Sequence, residues 1–115
     1  MTKADQADAF AAVSDPTRRG ILDVLRGGEQ PAGELVRTFP DLSQPAVSRH
    51  LRVLRESGLV DVRREEQRWI YSLRPRGFAA LEEWIARYRA FWPVQLDALE
   101  RHLGPPTAPS RKKSG

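Results

Sequence analysis

The sequence predicts a mainly α fold carrying one small β-hairpin. Three observations support this. Between Lys3 and Glu56, apolar residues recur at helical spacing in short segments divided by Pro and Gly. After Gly58 the period changes to two, through LVDVRR and RWIYSL. From Gly77 the helical period returns and runs on to Leu103.

Lys3 to Val13 (KADQADAFAAV) is Ala-rich, with Ala7, Phe10, Ala11 and Val13 toward one side, and predicts a short first helix. In SDPTRRGILDVLRGG, Asp15 is placed to cap a second helix and Gly27-Gly28 to end it. Pro16 suits the first position, where its missing N–H would lack a partner anyway. Ile21, Leu22 and Leu25 make that helix's apolar stripe. PAGELVRTF is a third helix, with Leu35, Val36 and Phe39 inward and Pro40 as its stop. Ser43 is the natural cap of a fourth, which tolerates Pro45 in its first turn and ends at Gly58. Its core-facing residues are Val47, Leu51 and Leu54, at i, i+4 and i+7.

Leu59, Val60 and Val62 lead to Arg63-Arg64, and RWIYSL sets Trp69, Tyr71 and Leu73 on one face. EEQ between these runs is the expected hairpin tip, without the Asn-Gly or Asp-Gly of the tightest turns. The last helix, GFAALEEWIARYRAFWPVQLDALERHL, carries Phe78, Leu81, Ile85, Tyr88, Trp92, Leu96, Leu99 and Leu103 at steps of 3 and 4, and Trp84 and Phe91 widen its apolar surface. Pro93 is expected to kink or split it. Residues 3–104 form one expected domain, a length that supports one modest core. Residues 105–115, PPTAPSRKKSG, have the composition of a disordered basic tail.

The third and fourth helices, joined by the short PDL stretch, match a helix-turn-helix, and the hairpin behind them makes the unit winged. In such a unit the second helix buries one stripe and lays the other in a DNA major groove. The outer stripe here is Gln44, Pro45, Ser48, Arg49 and Arg52. Gln pairs bidentately with adenine and Arg with guanine, each pair discriminating by about 1–3 kcal/mol, and Ser48 can reach a base or a phosphate. Arg63, Arg64 and Arg68 flank the hairpin tip, placed to grip backbone or enter a minor groove. Glu65 and Glu66 oppose that use unless the neighbouring arginines pair with them.

Charge agrees with this placement. The formal net charge of the 115-residue chain is +4. Residues 1–42 carry −2, residues 43–76 carry +4, residues 77–104 carry −1 and the tail carries +3. A basic segment is the footprint of a phosphate-backbone binder, although a solvated charged face would look the same by charge alone. The absence of cysteine excludes disulfides and thiolate metal sites. No apolar run approaches the roughly 18 residues of a membrane span, and MTKADQADAF lacks the pattern of a signal peptide, so a cytoplasmic protein is expected.

At this point the motifs carry a resemblance. SDPTRRGILDVL resembles the second-helix motif of the ArsR-type winged-helix repressors, LSQPAVSRHLRVLRESGLV their recognition-helix motif and RREEQRWIYSL their wing. The similarity spans about Phe10 to Leu103, with SRHLRVLRESGLV its most specific part. It implies a homodimer packed through the first and last helices, bound to an inverted-repeat operator in double-stranded DNA and repressing transcription. Carried across, the base-reading residues are Gln44, Ser48, Arg49 and Arg52. The dimer interface is Phe10, Trp84, Tyr88, Phe91, Trp92, Leu96, Leu99 and Leu103. Many members sense metals through cysteines in the third helix, where this chain has PAGELVRTF. Others use acidic and histidine ligands in the last helix, a pattern that Asp97, Glu100 and His102 do not make. Many also have glycine at the wing tip, where Glu66-Gln67 stands here. The W…Y…FW…L..L ending resembles a branch without a metal site, so neither metal nor cofactor is expected. Any small-molecule or protein effector remains unassigned.

His50 is expected to be hydrogen-bonded within the domain, and His102 to be an exposed residue near the negative end of the last helix. Trp84, Tyr88, Phe91 and Trp92 suit a dimer interface better than a ligand pocket, since a small domain cannot bury so much aromatic area alone. An enzyme is not expected, for want of a glycine-rich phosphate loop, a cysteine nucleophile or neighbouring histidines. A protein–protein module and a nonspecific architectural DNA binder remain as alternatives. The arginines of the outer stripe favour a sequence-specific repressor over the first, and the uncharged Gln44 and Ser48 favour it over the second.

Overall fold

The structure, a computed structural model, describes residues 9–91. The chain divides into two compact units, Met1–Leu81 and Glu82–Gly115. The first begins with helical residues 9–13 (α1) and continues through α2 (Pro16–Arg26), β1 (Gln30–Pro31), α3 (Ala32–Thr38), α4 (Gln44–Glu56), β2 (Val60–Glu65) and β3 (Arg68–Leu73). A 3-10 turn, Pro75–Phe78, leads into α5 (Ala79–Arg89), which crosses into the second unit. The fold is mainly helical with a small antiparallel sheet, as the two periodicities predict.

Helix boundaries follow local chemistry. The Asp15 carboxylate accepts the Arg18 N–H at 2.9 Å, and Pro16 occupies the first turn of α2. Ser43 Oγ accepts the Ala46 N–H at 3.2 Å and starts α4. That helix ends in a Schellman arrangement. Gly58 takes φ +82°, its N–H reaches the Arg55 carbonyl, and Leu59 N–H reaches back to Leu54, both at 3.0 Å. The left-handed backbone at Gly58 disfavours any side chain there.

The core lies where the helical stripes meet. Ile21, Leu22 and Leu25 from α2, Leu35 from α3, and Val47, Leu51 and Leu54 from α4 are buried together with Leu59 and Val60. Ala9 and Ala12 of α1 join them, and Val36, Phe39, Tyr71, Leu73, Phe78 and Leu81 pack around the margin.

Three expectations are corrected. The wing is not two-stranded alone: the sheet runs β1-β3-β2, with Gln30 opposite Tyr71 and Pro31 opposite Ile70. A two-residue strand containing proline leaves no period to read, so its pairing depends on β3 being alongside. Glu65 belongs to β2 opposite Arg68, which leaves Glu66-Gln67 as the tip. The last helix starts at Ala79, after the 3-10 turn, and α5 stops at Arg89. Phe91 N–H reaches Tyr88 at 3.1 Å in the turn that follows. Trp92, Pro93, Leu96, Asp97, Leu99, Glu100, His102, Leu103 and the expected tail 105–115 lie outside the described residues, as does Ala7.

Candidate nucleic-acid interface

α4 buries Val47, Leu51 and Leu54 and turns Gln44, Pro45, Ser48, Arg49 and Arg52 to solvent. The outward residues Pro45, Ser48, Arg49 and Arg52 line one shallow groove of about 440 Å³, together with Arg55 of α4 and Tyr71 of β3. Gln44, exposed at the helix start, does not line it. Arg55 and Tyr71 were not singled out from sequence. Arg55 continues the stripe three residues beyond Arg52 and was legible; Tyr71 reaches the groove only because β3 folds back beside the helix.

Charge in the groove is uncompensated. Arg49, Arg52 and Arg55 are exposed and form no ion pair among the described residues. Each guanidinium therefore keeps its donors for an outside acceptor, and base edges and phosphates supply such acceptors.

The helix is fixed from behind by Arg18. Its Nε donates to the Ala12 carbonyl at 2.9 Å and its Nη2 to Ala11 at 3.3 Å, while Nη1 lies 3.2 Å from His50 Nδ1. His50 is thus hydrogen-bonded within the domain, as expected, with Nδ1 the acceptor. Arg18 ties the end of α1 to the middle of α4, a role no local pattern announces.

The wing divides its arginines between two faces, because successive side chains in a strand point to opposite sides. Arg64 pairs across the ladder with Trp69, Val62 with Tyr71 and Val60 with Leu73, so these share the face that meets the core and the groove. Arg63 opposite Ile70 and Glu65 opposite Arg68 occupy the other face. There the Arg63 guanidinium makes two bonds to the Glu29 carboxylate, at 2.6 and 3.0 Å, and lies 3.5 Å from Glu65. This pairing holds the Glu29 carboxyl below its ordinary range and raises Arg63. Arg68 lies 3.7 Å from Glu65. Ile70 is buried on this second face, an anchor missed because only the Trp69, Tyr71 and Leu73 alternation was followed.

In the second unit, Trp84, Tyr88 and Phe91 follow one another at i, i+4 and i+7. Ring centroids are 5.2 Å apart for the first pair and 6.4 Å for the second. Tyr88 is 44% and Phe91 57% exposed, a broad aromatic surface on a short helix. Phe10, the other described candidate for a dimer contact, is partly buried in α1. No cluster of potential metal ligands occurs among the described residues, and none of their helices is long and apolar enough to cross a membrane.

Comparison with known proteins bears on this arrangement. A family model described as a helix-turn-helix domain matches residues 13–63, from the end of α1 into β2. The chain is 42% identical over 66 residues to the transcriptional repressor SdpR of Bacillus subtilis, covering 57% of this chain and 72% of that protein. It is 44% identical over 80 residues to the HTH-type transcriptional regulator Rv2034 of Mycobacterium tuberculosis, covering 70% and 74%. Among solved structures, an ArsR family transcriptional regulator superposes with a TM-score of 0.70 at 27% identity, over 81% of this chain and 95% of that one.

Proposed function

This chain belongs to the ArsR-type helix-turn-helix transcriptional regulators, DNA-binding proteins rather than enzymes, and we propose that it acts as a homodimeric, sequence-specific repressor. Gln44, Ser48, Arg49 and Arg52 read base edges in the major groove of an inverted-repeat operator. Arg63, Arg64 and Arg68 of the wing contact the flanking duplex. Phe10, Trp84, Tyr88, Phe91, Trp92, Leu96, Leu99 and Leu103 join two copies, so that residues 3–104 work as one DNA-binding and dimerising domain in the cytoplasm, followed by the basic tail 105–115. Half-sites then lie about 34–36 Å apart or a multiple of that.

The observation that carries this reading is the exposed stripe of α4, where Ser48 sits among three arginines that have no ion-pair partner among the described residues. Uncharged hydrogen-bonding residues such as Gln44 and Ser48 among the arginines favour base reading over purely electrostatic binding, and a protein-docking helix would not ordinarily keep so much unpaired charge. No ligand set for a metal or cofactor enters the reading.

The test is fluorescence anisotropy against the gene's own upstream duplex and a shuffled duplex of equal composition, at two salt concentrations. Tight binding to the native duplex alone, persisting at the higher salt, is the expected result. Equal binding that collapses with salt would indicate an architectural role. Binding to neither would redirect the stripe to a protein partner.

A further inference from the structure

The wing tip carries an exposed tryptophan that the core does not use. Trp69 remains 47% exposed, whereas the sheet is anchored by the buried Val60 and Ile70 and the partly buried Leu73. Directly across the ladder, the Arg64 guanidinium carbon sits 4.8 Å from the centroid of the Trp69 ring. Arg64 Nε donates to the Glu66 carbonyl at 3.2 Å, and Glu66 holds a left-handed φ of +58° in the turn. One N–H and one face of the guanidinium are therefore fixed. Its terminal N–H groups have no partner among the described residues, so they point to no internal acceptor.

The other wing arginines differ in both orientation and charge. Arg63 and Arg68 lie on the opposite face, beside Glu29 and Glu65. Arg64 and Trp69 instead share the face of Tyr71, which lines the groove under Arg49 and Arg52. Among the described residues, Arg64 thus stands at the tip on the groove side without an ion-pair partner, stacked on an aromatic ring.

We infer that Trp69 is a positioning residue for DNA binding: its indole holds Arg64 in the orientation in which the wing presents it to the duplex. This rests on the reading of the chain as a duplex-DNA binder. A free arginine side chain gives up rotamer freedom when it binds a phosphate or enters a minor groove; stacking removes part of that freedom beforehand. Arg63 and Arg68 brace the wing through their carboxylates and contribute less to DNA affinity than Arg64.

The test is a double-mutant cycle on a duplex enriched from a random library by the wild-type protein. Trp69→Val keeps strand propensity but removes the ring, and it should weaken binding about two- to fivefold. In an Arg64→Ala background the same change should have almost no further effect, because Trp69 then has nothing to hold. Trp69→Phe, which retains a stacking face, should restore most of the affinity. A merely structural tryptophan would lower affinity equally in both backgrounds, and so would one that touches DNA itself; either result overturns the inference while leaving the repressor reading intact. If the wild-type protein enriches no duplex at all, both fall together. Because each cycle compares Val with Trp in matched backgrounds, a loss of wing stability in Trp69→Val cancels from the coupling.

Discussion

Arg49 and Asp15 illustrate how single residues divide between recognition and folding. Arg49 is exposed, in the groove and without an ion-pair partner among the described residues, so its removal should act on base preference and not on the fold. Arg49→Ala should relax selection at particular base pairs by about 1–3 kcal/mol in a library selection; an unchanged sequence profile would remove it from the reading set. Asp15 sits at the start of α2, where the Arg18 backbone N–H holds its carboxyl below the usual range, with the Arg18 charge adding to the effect. A depressed folded pKa gives stability that is present above the unfolded value, near pH 4, and is lost as pH falls through the folded one. Asp15→Asn keeps a capping oxygen but cannot titrate. Thermal melts should therefore show a shallower loss for Asp15→Asn than for wild type below about pH 4, and identical acid limbs would show that this carboxylate contributes nothing there.

At the scale of elements, the wing and the end of α4 are set by close backbone approaches. A Cβ on Gly77 would lie 1.7 Å from the Gly58 carbonyl oxygen, so the 3-10 turn packs against the α4 terminus with no room for a side chain. Gly77→Ala should cost about 1–3 kcal/mol, seen as a lower urea midpoint with unchanged slope; a wild-type midpoint would mean that this approach is easily relaxed. The wing offers a complementary test. Arg64→Ala should weaken binding to all sequences alike and reduce the slope of log affinity against log salt by about 0.9. Were the loss confined to one base position, the wing would be reading sequence instead. The helices themselves were legible because caps, proline positions and apolar spacing act within a turn or two: Ser43, Pro45 and the Val47, Leu51, Leu54 series define α4 without reference to anything distant.

For the whole molecule, the exposed aromatics of α5 are the strongest argument for a second copy. Tyr88 on α5 and Phe91 in the turn after it present a large exposed apolar area for so short a segment. Replacing both with serine should yield a folded monomer by light scattering, with far-UV circular dichroism close to wild type. Such a monomer should also bind one half-site and lose the tighter binding that two linked half-sites give. A dimer that persists would place the interface elsewhere.

Local signals were sufficient for the order of helices, the exposed stripe of α4 and the existence of a wing. They were insufficient wherever a residue's role depends on a partner far along the chain. Arg63 looked equivalent to Arg64 in sequence, yet Glu29, 34 positions earlier, takes up its guanidinium. Arg18 gave no sign of reaching His50, 32 positions later, and Tyr71 none of lining the groove. The sequence alone determined which faces exist, because helix and strand periods put side chains on fixed sides of their own elements. Only the tertiary structure decided which charges on those faces remain available, because an ion pair between separate elements forms only where packing brings their side chains together.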